Sequence, residues 1–260
     1  MKDQYCLNYL AEVAGTRGLA AAKMARAALG GWREMLGGQA LSSPVFQRLF
    51  TGIEKAKARP PVQRKPWSKS LLRRLWESCL PWSTLSFRDL RNLTLQFTLF
   101  MGCLRFSDVI NLRWDQVSIS EEGVELRCGK RKNDQALKRP LQVLLRNGRS
   151  ISLSEVFLEL RKRGKSGRVF PSRPNAPSCV SYQAAREDLK RCLRRLGIAE
   201  EGFGLHSGRV GGIQWLVDCG VPEEDIARLA GYAPGSSSVQ YYARNASRGV
   251  SNCRNLLMFK

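Results

Sequence analysis

The sequence predicts a mainly α-helical chain with a small β-sheet, an α+β architecture in two domains. Three observations carry this. Apolar residues recur at helical spacing through most of the chain. Two short stretches, Gly123–Cys128 and Arg139–Leu145, instead alternate apolar and polar residues as strands do. Between a helical first quarter and the mixed remainder lies "RPPVQRKPW", Arg59 to Trp67, three prolines and three cations in nine residues. That composition reads as an extended basic linker. The boundary is placed there, with one domain over residues 1–66 and a second over 67–260.

The elements follow in order. Residues 5–38 are rich in Ala, Leu, Met, Lys and Arg, all strong helix formers, and are expected to be helical. "SPVFQRLFTGIEKAKA" predicts a second helix, with Ser43 as cap and Pro44 at its first position. After the linker, "SKSLLRRLWESC" and "SFRDLRNLTLQFTLFMGCL" carry helical apolar spacing, and "SDVINLRW" is expected to start another helix capped by Ser107. The two strand candidates flank a polar turn, "GKRKNDQ", and predict a hairpin. Helices are expected at 153–163 and 181–196. Two short ones follow His206, the second with Pro222 near its start, and a last helical stretch covers "SSVQYYARNA".

Composition narrows the partner. Lys and Arg outnumber Asp and Glu by 43 to 22, a net charge of +21 and a pI near 10.2. Such self-repulsion is relieved by a polyanion, so nucleic acid is the leading partner, ahead of an anionic membrane surface. No apolar run approaches the roughly 20 residues that span a bilayer. The first residues carry Asp3 and no long apolar core, unlike a secretion signal. The eight cysteines include no closely spaced pair of the kind zinc sites use. They are expected to be reduced thiols in an intracellular protein.

"FGLHSGRVGG" holds the only histidine, His206, three residues before Arg209 at a helix start. Residues at i and i+3 share a face, and a helix N-terminus favours an anion. Arg offers a planar fork to phosphate oxygens, and His can move a proton near neutral pH. Arg105 ends an apolar helix, with Asp108 able to hold it in orientation. Lys130 and Lys132 sit on the hairpin tip, and Tyr241 and Tyr242 follow a flexible turn. Taken singly, each reads equally as a surface charge, a solvated turn or a core residue.

Taken in order, these motifs resemble the tyrosine recombinases, or phage-type integrases, most closely the Cre-like members. "LRFSDVINL" resembles the first arginine box, which implies Arg105 as a catalytic arginine and Asp108 as its acidic support. "GKRKNDQ" sits where the family has its hairpin lysine, and Lys132 fits Gly-x-x-Lys. "LHSGRVGG" resembles the His-x-x-Arg box, implying roles for His206 and Arg209. "AGYAP" places Tyr232 where the family usually carries His or Trp. "VQYYARN" resembles the nucleophile box, with Tyr242 in the Tyr-x-Arg-Asn form. The turn after Tyr232 is one residue longer than usual, so Tyr241 remains the alternative nucleophile.

The resemblance implies a helical core-binding domain before a catalytic domain, and cleavage and rejoining of double-stranded DNA through a 3′-phosphotyrosyl intermediate. It implies neither metal nor cofactor. It also implies a homotetramer on two DNA sites, linked through the C-terminal tail with Leu256, Leu257, Met258 and Phe259. A mobile-element origin and a nuclear or nucleoid location follow from it. The alternative is a recombinase-derived DNA-binding protein that no longer cuts, suggested by Tyr232 and the longer turn. A topoisomerase-like relaxing enzyme shares the mechanism. A generic RNA-binding protein leaves the ordered motifs unexplained.

Overall fold

The computed structural model describes residues 3–39, 41–56, 65–129 and 141–232. The chain divides into two compact units, Met1–Val62 and Gln63–Lys260.

The first unit holds three helices, α1 (Asp3–Arg17), α2 (Leu19–Met35) and α3 (Pro44–Ala56). The single helix expected over 5–38 is two. Gly18 takes φ 89°, ψ 171°, a backbone that only glycine adopts freely, and the helix breaks there. Composition favours helix on both sides of Gly18, so the break was hidden by its good neighbours. Cys6, Leu10, Val13, Ala22, Phe46 and Phe50 form the core of this unit. Arg26 lies over the Phe50 ring at 5.2 Å and its Nε donates to the Leu41 carbonyl at 2.8 Å. The arginine thereby ties the segment between α2 and α3 to that core.

The second unit is built around α5 (Phe87–Met101), with every residue from Leu90 to Phe100 buried. Ser86 caps it, its hydroxyl accepting from the Asp89 N–H at 3.1 Å. Such a helix must be covered on all sides. α4 (Lys69–Glu77), α7 (Leu153–Gly164), α8 (Tyr182–Arg195) and α9 (Ser207–Asp218) cover it, and α10 (Glu223–Ala230) packs on α9. Most polar groups on α5 find partners: Thr94 and Thr98 donate to carbonyls one turn back, and Gln96 Nε2 donates to Asn92 Oδ1, although the buried Gln96 Oε1 has none. Arg91, 3 % exposed, pairs with the buried Asp188 of α8 at 2.7 Å and donates to the Pro171 carbonyl at 2.8 Å. Arg88 and Arg191 also reach Asp188.

The sheet is antiparallel, in the order β1 (Val117–Ile119), β2 (Gly123–Cys128), β3 (Leu141–Arg146). Both expected strands form, with Val124 opposite Leu145 and Leu126 opposite Val143 on the buried face. The third strand, β1, is only three residues long, too short for alternation to register in sequence. The segment from "SDVINLRW" also differs from expectation. Its helix, α6 (Phe106–Val109), is a single turn, and Arg105 is its N-cap, not Ser107. The buried Asp108 carboxylate accepts from the Arg105 N–H at 3.0 Å, which fixes the start two residues earlier than a Ser107 cap would. Helices α7 to α10 lie where the sequence places them.

Candidate phosphate-binding site

The site forms where the loop after α5 meets the N-terminus of α9 and the C-terminus of α10. Two glycines allow the first contact. A Cβ at Gly212 would lie 2.0 Å from the Phe100 carbonyl oxygen, and one at Gly211 would lie 2.1 Å from that of Trp67. A side chain at Gly212 would push α9 off α5, and one at Gly211 would push it off the Trp67 backbone. The Trp67 N–H donates to the Ser207 carbonyl at 3.1 Å, and the Ser207 hydroxyl accepts from the Gly204 N–H at 3.0 Å. The first turn of α9 is thus held from both sides.

Arg209 sits in that turn and is fully buried. Its Nη1 donates to the Cys103 carbonyl oxygen. Its Nε and Nη2 are buried with no hydrogen-bond partner. Among the described residues, no carboxylate pairs with it. An unpaired buried cation is costly, and each unmet donor adds about 1–3 kcal/mol or more. The N-terminal turn of α9 adds partial positive charge at the same place. The arrangement suits an anion.

Arg105 and Tyr232 complete the described part. The Arg209 guanidinium carbon lies 4.6 Å from the Tyr232 ring centroid, and that of Arg105 lies 5.7 Å from it. Both are within cation–π range. Tyr232 reaches this position because Gly231 ends α10 in the left-handed conformation, φ 63°, ψ 41°. The Tyr232 N–H then returns to the Ala227 carbonyl at 2.9 Å. Tyr232 stands where the resemblance places a His or Trp, and its ring is what meets the two arginines. Asp108 holds Arg105 mainly through its backbone, since its carboxylate is 4.0 Å from the guanidinium Nη1.

His206 is the N-cap residue of α9 and is exposed, one turn before the buried Arg209. Arg105, Asp108, Arg209 and Tyr232 are therefore brought together, with His206 at the mouth of the same helix turn. Lys130, Lys132, Tyr241 and Tyr242 lie outside the described residues. Sequence reasoning missed Cys103, whose carbonyl meets Arg209. Its backbone is left-handed, φ 48°, and burial pushes its thiol up to about 12 despite the nearby Arg209 charge. The thiol is neutral at physiological pH. No spacing rule marks a residue that contributes only a carbonyl.

Two arginines on one aromatic ring, at a helix N-terminus where Arg209 has two unmet donors, offer positive charge and hydrogen-bond donors suited to an anion such as phosphate. The chain belongs to the phage integrase family, whose model matches residues 69–248. No curated protein sequence matches it significantly. Among solved structures it is similar to XerH site-specific recombinase bound to a palindromic difH substrate, with TM-score 0.63 and 15 % identity over 95 % of this chain and 70 % of that one. It is similar to a lambda integrase dimer bound to a COC′ core site, with TM-score 0.60 and 13 % identity over 97 % of this chain and 67 % of that one. A lambda integrase tetramer bound to a Holliday junction gives TM-score 0.58 and 14 % identity, covering 95 % and 66 %. At these identities the likeness is one of fold.

Proposed function

We propose that this protein is a site-specific DNA recombinase of a mobile element, cutting and rejoining DNA through a 3′-phosphotyrosyl intermediate. The observation that carries the reading is the buried, unpaired Arg209 guanidinium sharing the Tyr232 ring with Arg105. A DNA phosphodiester has the charge and the oxygens that such a site lacks. Arg209 and Arg105 hold the non-bridging oxygens and stabilise the charge that spreads over them in the transition state. The Tyr242 oxygen attacks phosphorus, forming the Tyr–O–P bond as the bond to the 5′-oxygen breaks. His206 takes the tyrosine proton, which at an ordinary pKa of about 10 is rarely lost at pH 7. Lys132 gives a proton to the leaving 5′-oxygen. The reverse sequence reseals the strand, and no metal enters it.

The partner is double-stranded DNA within the cell, with residues 1–66 as the core-binding domain. The working assembly is a homotetramer on two sites, as in the lambda integrase structure on a Holliday junction. The test is a nicked duplex pool that includes DNA flanking the gene. An SDS-stable protein–DNA adduct in wild type that is lost in Arg209→Ala supports the reading. Tight DNA binding with no adduct on any duplex supports the non-cutting DNA-binding protein instead.

A further inference from the structure

We propose that Cys103 is a positioning residue for Arg209, acting through its backbone carbonyl and not through its thiol. This rests on the recombinase reading for its effect on rate, but not for its effect on the arginine. Four observations place Cys103 at the junction of the site. Its carbonyl is the only hydrogen-bond acceptor that Arg209 has among the described residues. Its backbone is left-handed, φ 48°, one of three non-glycine residues with positive φ among those described. Its side chain is buried with Ile213 and Leu216 of α9 and Ile226 and Ala230 of α10, the cluster against which Tyr232 packs. It precedes Arg105 by two residues.

The geometry connects these facts. α5 ends at Gly102, and the chain must reverse within Gly102–Leu104 to start α6. The Cys103 N–H returns to the Phe100 carbonyl at 3.2 Å, and the Leu104 N–H to the Leu99 carbonyl at 3.2 Å. A left-handed residue between them sends its own carbonyl away from α5 and toward α9, where Nη1 of Arg209 meets it. That one bond leaves Nε and Nη2 without a partner, with the guanidinium carbon 4.6 Å from the Tyr232 ring centroid. Without it the guanidinium can turn about its last torsions. Strain held at such a position, when the surroundings over-determine it, is a known way to fix a functional group. The side chain has no chemical part: it is sealed in the cluster, 2 % exposed.

The prediction turns on backbone conformation. Cys103→Gly adopts positive φ freely, and Cys103→Ala bears about the same restriction as cysteine. Cys103→Val is β-branched and resists the left-handed region. On a nicked duplex, Gly and Ala should cleave within about threefold of wild type. Val should lose about 10²-fold in the first-order cleavage step, the scale of a 1 Å misplacement, with DNA affinity within about twofold. A neutral methylphosphonate at the scissile position needs less from the arginines, so the Val defect should shrink on it. A general loss of folding would lower both substrates alike. Full cleavage by Val overturns the proposal, and so does a loss in Ala or Gly comparable to that in Val. If Val does not fold, Gly and Ala decide alone, and loss of cleavage in either overturns it. Arginine side-chain nitrogen NMR on the same proteins reads the contact without catalysis. An exchange-protected Arg209 signal is expected in wild type, Gly and Ala, and absent in a folded Val protein. That pattern in an inactive wild type would sink the recombinase reading and leave the positioning intact. Absence of a protected signal in wild type overturns the positioning.

Discussion

At the scale of single residues, the site is explained by what Arg209 lacks. A guanidinium with one of its hydrogen-bonding edges unmet, buried and unpaired among the described residues, destabilises the protein that carries it. Natural proteins keep such groups where function needs them. Arg209→Met, similar in length and apolar, should therefore raise the melting temperature, by on the order of 1 kcal/mol in stability, while lowering the cleavage rate about 10²–10³-fold. A thermal melt beside a single-turnover assay reads both. Tyr232 makes a related prediction. If its ring face is the platform for Arg105 and Arg209, Tyr232→Phe keeps cleavage within a few-fold and Tyr232→Ala loses about tenfold. Equal loss in both would assign the role to the hydroxyl. In sequence, Arg105, His206 and Arg209 stood out only through the order of their motifs, and the structure brings Arg105 and Arg209 onto one ring. The Cys103 carbonyl did not stand out, since any residue but the right backbone angle would have looked the same.

At the scale of elements, α5 and its contacts set where the arginines stand. Gly212→Ala forces a methyl against the Phe100 carbonyl, so α9 must shift, and the protein should lose several kcal/mol, seen as a lower melting temperature. At the other end of α5, Asp188 holds Arg91 in the core and Arg88 and Arg191 nearer the surface. Asp188→Ala leaves Arg91 buried without its partner and should cost about 3–5 kcal/mol. Asp89 sits beside this cluster. Burial pushes its carboxyl up, but bonds from Ser86 and Arg195 and the charges of Arg195 and Arg191 outweigh that and hold it below the ordinary value. A depressed carboxyl stabilises the fold fully above its unfolded pKa, about 3.9, and that stability is lost as pH falls through the lower folded value. Asp89→Asn should flatten the stability profile in that acid window and leave its shape above pH 6 unchanged. Helix positions followed from apolar spacing; the caps Ser68, Ser86 and Ser181 are seen only in the structure. The break at Gly18, the short α6 and the three-residue β1 did not, because each is decided by one backbone angle or one long-range pairing.

At the scale of the whole molecule, a net charge of +21 makes the proposed binding to DNA depend on counterion release. Affinity for a duplex should fall about 10³-fold or more between 50 and 200 mM salt, measured by fluorescence anisotropy. Deleting residues 251–260, with their four apolar side chains, should spare that binding and abolish strand exchange between two sites; normal recombination by the truncated chain would remove the tail from the assembly. The central claim is that a tyrosine near the end of the chain attacks DNA held by Arg105 and Arg209. Covalent trapping tests it most directly. Wild type, Tyr241→Phe and Tyr242→Phe are incubated with nicked duplexes, and the SDS-stable adduct is digested and mapped by mass spectrometry. The account predicts an adduct on Tyr242, retained in Tyr241→Phe and absent in Tyr242→Phe. An adduct that survives both substitutions, or none in wild type despite tight binding, contradicts it.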